Sequence, residues 1–215
     1  MSHLPIDPSR DAKPIRLFES DFLEFFTHIS PVTIIVLWLP IAVLLMVFAA
    51  RNIPAAESLP ASMPLGFLSG LFLWTFAEYT LHRFLFHHKP NGPAQERIFF
   101  LFHGIHHAQP QVKTRLVMPL PVSIPMAALF YGLFYLVVGI LLASPQWVGP
   151  LMSGFLIGYL AYDLTHYATH HFAMRSGYAK YIKRHHMEHH YKDPNTRFGV
   201  SSPAWDWVFR TQGVE

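Results

Sequence analysis

GYLAYDLTHYATHH, residues 158–171, begins as apolar sequence suited to a bilayer and ends in histidines. His166 and His170 are four apart, so a helix sets them one turn apart on the same face. Such a pair clamps one metal ion, or feeds two neighbouring ions, where an apolar helix leaves the membrane. Three further histidine clusters stand at comparable places in the chain. All four are expected to converge on one dinuclear metal site.

The chain has 215 residues, a length suited to one domain. Its composition is not that of a soluble domain. Apolar residues make up 52% and charged residues only 13%, against roughly 25% charged in ordinary soluble domains. Long apolar runs point to an integral membrane protein. There is no cysteine, hence no disulfide, thiolate ligand or iron–sulfur cluster, and any transition metal must be held by nitrogen or oxygen. The 15 histidines are far above ordinary usage, and imidazole is the commonest transition-metal ligand. The net charge of +3 is mild, and no nucleic-acid partner is expected.

Hydropathy predicts an all-α integral membrane fold with four transmembrane helices, residues 31–50, 65–88, 119–143 and 150–171. Residues 89–118 and 172–215 form the expected cytosolic helical cap, so that 31–215 make one domain. Residues 1–30 read as a cytosolic amphipathic segment. In IRLFESDFLEFFTHIS, Phe18, Phe22, Phe25 and Phe26 recur at helical spacing with acids between them. This suits a helix lying on the membrane surface or packed on the domain. It lacks the charged start and small-residue cleavage site of a secretory signal. Of 16 basic residues, the four spans leave 15 on one side, with Arg51 alone on the other. The positive-inside rule makes that side cytosolic and puts both termini there. Every clustered histidine falls on the same side, although the spans were drawn without reference to histidine.

The clusters are HRFLFH (His82, His87), HGIHH (His103, His106, His107), HYATH (His166, His170) and HMEHH (His186, His189, His190). In the two three-histidine groups the i, i+3, i+4 spacing puts all rings on one helical face. His82 and His87 are five apart, which fits one face of a regular α-helix poorly, so a local distortion is expected there. Ten imidazoles exceed what one ion accepts with a position left for water or substrate; two ions sharing nine or ten ligands is the economical count. Adjacent imidazoliums repel, so the cluster requires neutral rings. Glu78, Asp163 and Glu188 stand beside the clusters, and their expected role is to accept the outer ring N–H of a ligand. A lone histidine at a membrane end is ordinarily interfacial. His88, His171 and His185 each abut a cluster and read as solvent-facing neighbours, so the choice of His170 and His186 over them rests on spacing.

On these residues the chain resembles the membrane fatty acid hydroxylase/sterol desaturase superfamily, and within it the fatty acid 2-hydroxylases. The resemblance runs from about Ile15 through RLFESDFLEFFTH, WTFAEYTLHRFLFHH, FHGIHHAQP, RLVMPLP, GYLAYDLTHYATHH, KRHHMEHHYKD and FGVSSPAWDWVFRT. It implies that the ten clustered histidines hold two iron ions, with O2 as co-substrate, in four membrane helices under a cytosolic cap. Zinc is expected to intrude in isolated protein, because nitrogen ligands alone do not select iron. No heme-binding motif is visible, as in the short forms of this family without a cytochrome b5 domain. Electrons are then expected from a separate cytochrome b5-like or ferredoxin-like donor. A bacterial inner membrane is favoured over the endoplasmic reticulum.

Oxygen insertion into an unactivated C–H bond exceeds side-chain acid–base chemistry and calls for a metal. The resemblance implies hydroxylation at C2 of a long-chain fatty acyl group, free or in a ceramide or sphingolipid. Tyr162 and Asp163 are the candidates to bind the substrate head or orient the ligands, and Tyr159 is a candidate substrate contact or plain interfacial packing. Rival readings are hydroxylation or desaturation of a sterol, carotenoid or other lipid, and a membrane metal-handling or transport protein. Polar residues gather at one end of the spans, which disfavours transport. A zinc hydrolase is disfavoured by the absence of HExxH.

Overall fold

The structure, a computed structural model, describes residues 13–53 and 60–213. Residues 1–12 of the N-terminal segment, 54–59 of the first loop and 214–215 lie outside the described residues. Every regular element among the described residues is helical. The α-helices are α1 (Asp21–Phe25), α2 (Pro31–Arg51), α3 (Ser62–Thr80), α4 (Pro93–Phe99), α5 (Ile105–Ala108), α6 (Leu120–Phe134), α7 (Val148–His171), α8 (Gly177–Tyr191) and α9 (Ala204–Val208). Three π-helical stretches, Leu81–Phe86, Phe100–Gly104 and Tyr135–Leu141, follow α3, α4 and α6 directly.

The chain divides into two compact units. One contains Pro31–Thr75 and Leu120–Ala161. Its core is an aromatic cluster in which Trp74 meets Phe155 and Tyr159 edge-on at 5.0 and 5.3 Å, and Trp38 meets Tyr159 at 6.1 Å. Backbones approach closely beside it. A Cβ on Gly70 would lie 2.0 Å from the Leu151 carbonyl oxygen, and one on Gly154 would lie 1.9 Å from that of Phe67. Small residues at such a crossing are what close helix packing requires. Ser153 is buried and donates to the Ala42 carbonyl at 2.8 Å.

Two of the four expected spans are long and apolar enough to cross a membrane on length and composition: α2 and the run Lys113–Leu141. Their large side chains are widely exposed, among them Val36, Val43 and Phe48 on the first and Leu129, Leu133 and Leu136 on the second. The other two helices fall short for a physical reason. α7 is buried along most of its length, and Gly149, Ser153, Gly154, Gly158 and Asp163 dilute its hydropathy. α3 carries Glu78, which is 3% exposed. α7, mostly enclosed by protein, has less need of lipid-soluble side chains, whereas α3 still exposes Leu65, Leu68 and Phe72.

The second unit contains residues 13–30, Phe76–Pro119 and residues 162–213. Here the N-terminal segment is strapped to the chain that follows HGIHH. Gln109 accepts from Ile15 N at 2.9 Å and donates to the Lys13 carbonyl at 3.1 Å, and buried Arg115 pairs with Glu24. His28 Nδ1 lies 2.7 Å from the Thr114 hydroxyl. The expected amphipathic helix is one short turn, α1, capped by Ser20, with Phe22 and Phe25 about 70% exposed.

Candidate metal centre

The ten histidines of the four clusters lie in the second unit and sort into two sets of five. His82, His87, His103, His107 and His189 make the first; His106, His166, His170, His186 and His190 make the second. Within each set the ligand nitrogens all lie within 4.8 Å of one another. The sets adjoin, since His107 of the first stacks on His190 of the second at 4.1 Å.

Each cluster contributes by its own spacing. HYATH gives both rings to the second set and HRFLFH both to the first. The three-histidine groups are divided: His103 and His107 go to the first set and His106 to the second, while His186 and His190 go to the second and His189 to the first. The three rings of HGIHH or HMEHH therefore do not serve one ion, as a common helical face suggested. The i, i+4 pair points one way, and the residue between them is turned far enough to reach the neighbouring set. The distortion expected at HRFLFH is a π-turn. His87 N donates to His82 O at 3.1 Å, an i to i+5 bond, and the wider turn brings residues five apart onto one face.

The nitrogens are spaced as a metal would space them. In the first set, Nε2 of His103 stands 3.1 Å from that of His82 and 2.9 Å from that of His107, and His189 stands 3.1 Å from His87. In the second, Nε2 of His106 stands 2.8 Å from His166 and 2.9 Å from His190, and His170 stands 2.9 Å from His186. Nitrogens about 2.1 Å from a first-row ion sit about 3.0 Å apart at a right angle and about 3.4 Å apart at the tetrahedral angle. Spacings of this size suit imidazole nitrogens gathered around an ion. The chemistry of the rings agrees. Burial, reinforced by neighbouring imidazoles, holds His103, His106, His107, His186 and His190 well below the ordinary imidazole pKa. Burial lowers His189 to about 4 against the opposing pull of the Thr196 carbonyl. Neutral rings offer lone pairs, so two five-nitrogen cages fit a pair of transition-metal ions.

Two of the expected carboxylates, Glu78 and Glu188, are engaged by groups other than the cage rings. Glu78 accepts instead from the backbone N–H groups of Val200 and Ser201, at 2.6 and 2.7 Å, and from the Ser201 hydroxyl. Glu188 pairs with Arg184 at 2.8 Å and Arg197 at 2.9 Å. The outer nitrogens that are held donate to main-chain carbonyls: His82 Nδ1 to Phe198 at 2.5 Å and His189 Nδ1 to Thr196 at 2.6 Å. Backbone oxygen has no residue signature, which is why side-chain reasoning chose acids. Asp163 is fully buried and accepts the Met118 N–H through both oxygens, at 3.0 and 3.3 Å. Tyr162 stacks on His166 with centroids 5.9 Å apart. Tyr159 stands among Trp38 and Trp74. His185 is not solvent-facing: it is buried with Nε2 3.1 Å from Asp206.

The model for the Fatty acid hydroxylase family matches residues 67–211. This chain belongs to the fatty acid hydroxylase family. Its sequence is 38% identical to the ceramide very long chain fatty acid hydroxylase scs7 of Schizosaccharomyces pombe, over 90% of this chain and 54% of the relative. It is 36% identical to mouse fatty acid 2-hydroxylase, over 93% of this chain and 57% of that one. It is 35% identical to the Arabidopsis thaliana dihydroceramide fatty acyl 2-hydroxylase FAH1, over 91% of this chain and 79% of that one. Among solved structures it is similar to full-length scs7p, of which only the hydroxylase domain is visible, with a TM-score of 0.79 and 36% identity over 89% of this chain and 69% of the other. The hydroxylase-family chain thus spans a little over half of the fission yeast and mouse relatives.

Proposed function

We propose that this chain is a membrane monooxygenase that places a hydroxyl at C2 of a long-chain fatty acyl group, free or in a ceramide-like lipid. The observation that carries the reading is the pair of adjoining five-imidazole cages. Relatives named fatty acid 2-hydroxylase and dihydroceramide fatty acyl 2-hydroxylase give the substrate class and the position.

Iron bound in the two cages would supply the O2-activating redox chemistry that carbon–hydrogen hydroxylation demands. One oxygen atom of O2 enters the product and the other leaves as water, which takes two electrons from a reduced donor and two protons. His82, His87, His103, His107 and His189 would hold one ion and the remaining five histidines the other. Tyr162 fixes the plane of His166 by stacking on it, and Asp163 secures the backbone at Met118. Both are assigned to orient the site where the acyl head enters. A cytochrome b5-like or ferredoxin-like protein is the proposed donor.

Four membrane crossings, with the termini and the cages on the cytosolic side, belong to the same reading. It is supported by the ligand sets, since each joins residues from before and after the run Lys113–Leu141. One crossing between them would separate the rings by a bilayer. A second crossing, by α7, returns the chain to the first side.

The test is lipid mass spectrometry of cells with and without the protein, expecting acyl chains heavier by one oxygen at C2. His166→Ala should abolish that product and lower the metal content while the protein stays in the membrane. Full activity with two bound ions in that variant would overturn the assignment. Iron-loaded protein should turn over and zinc-loaded protein should not; the reverse would refute the redox chemistry.

A further inference from the structure

Residues 196–201, TRFGVS, run past the first cage as a loop whose polar backbone is almost wholly committed. Four successive N–H groups go to two buried carboxylates. Phe198 and Gly199 donate to Asp206 at 2.9 and 2.8 Å, and Val200 and Ser201 donate to Glu78 at 2.6 and 2.7 Å. Asp206 is 0% and Glu78 3% exposed. Asp206 also accepts from the Thr211 hydroxyl at 2.7 Å and from His185 at 3.1 Å. Arg197, held at φ +61°, ties the loop to α8 through Glu188. The loop closes so tightly that a Cβ on Gly199 would sit 2.0 Å from the Ser202 carbonyl oxygen. The Phe198 carbonyl, whose peptide is held through the Gly199 N–H by Asp206, faces His82, while the Thr196 carbonyl, whose peptide donates through Arg197 N to the Thr211 carbonyl at 2.7 Å, faces His189.

Among the described residues four rings of the second cage lack such support. Nδ1 of His106, His166, His186 and His190 is buried without a hydrogen-bond partner among the described residues. An acceptor on the outer nitrogen fixes a ligand's tautomer and raises its basicity, and its loss typically lowers metal affinity ~10- to 100-fold. The two cages are therefore unlike in the feature that tunes a histidine ligand.

We infer that Asp206 and Glu78 are positioning residues for one metal position alone, that of His82, His87, His103, His107 and His189, and that they act through the backbone of residues 196–201. This rests on the dinuclear reading above. Neither carboxylate belongs to a cage; Asp206 holds the Gly199 N–H, whose peptide carries the Phe198 carbonyl set against His82, and Glu78 holds the two peptides that follow.

The experiment uses the full chain in detergent, loaded with ferrous iron without air, with metal counted by mass spectrometry and its release followed against a chelator. In Asp206→Asn, one ion should be released at roughly 10- to 100-fold lower chelator concentration and the other as in the wild type. Double variants assign the position. Asp206→Asn should make the remaining iron of His170→Ala, which lacks a ligand of the second cage, leave at the same roughly 10- to 100-fold lower chelator concentration, and should change nothing further in His87→Ala, which lacks one of the first. Ser201→Ala keeps the backbone bonds to Glu78 and removes one hydroxyl, so it reports even if Asp206→Asn does not fold; release of one ion should still quicken. Equal weakening of both ions, or no weakening of either, would overturn the inference. Wild-type protein that binds no iron would instead overturn the metal centre itself.

Discussion

His170 and His171 are neighbours of the same type at the end of α7, yet only one serves a cage. His170 Nε2 stands 2.9 Å from His186 Nε2, while the His171 ring packs against Tyr167 at 4.7 Å. His170→Ala should then lose one of two ions and lipid hydroxylation together, and His171→Ala should keep both; metal analysis beside product formation separates them. Loss of metal in His171→Ala and not in His170→Ala would show that α7 is rotated relative to this description. At this scale the ten gathered histidines were legible, because imidazole is a residue type and helical spacing says which copies share a face. His185 was not. It differs from His186 only in direction, and the partner that gives it a purpose, Asp206, lies 21 residues further on. The Thr196 and Phe198 carbonyls were less legible still, since every residue carries one.

Elements were legible where one force dominated. Continuous apolar sequence marked α2, and its exposed valines and Phe48 follow directly. The mismatch of five residues in HRFLFH marked a distortion, and the π-turn at Leu81–Phe86 resolves it. α7 was harder, because a helix enclosed by protein and a helix facing lipid share their apolar residues and differ in their small ones. Gly154 shows the difference. Its missing side chain admits the backbone of α3, where a Cβ would stand 1.9 Å from the Phe67 carbonyl oxygen. Neither group is a flexible side-chain tip, so the helices must part. Gly154→Ala should destabilise the protein by about 1–3 kcal/mol, the usual cost of overpacking. It would be read as a lower thermal midpoint in detergent, and an unchanged midpoint would mean that α3 and α7 cross elsewhere.

At the scale of the whole molecule the question is how many times the chain crosses the membrane. Composition alone supports crossings by α2 and the run Lys113–Leu141. If these were the only two, the chain between them would lie on one side and everything after Leu141 on the other. His103 and His107 would then be parted by the bilayer from His189, although all three belong to one cage. Crossings by α3 and α7 remove the conflict and gather 15 of 16 basic residues on the cage side. The absence of cysteine allows a direct test, since each introduced thiol is the only one in the chain. Arg97, Gln146 and Lys180 are exposed; Arg97 lies between α3 and the run Lys113–Leu141, Gln146 between that run and α7, and Lys180 after α7. Arg97→Cys and Lys180→Cys should resist a membrane-impermeant maleimide in intact cells and react once the cells are opened. Gln146→Cys should react in intact cells. Two crossings predict a different pattern, with Gln146 and Lys180 on one side and Arg97 on the other, and that outcome would separate the ligands of each cage and remove the dinuclear centre with it.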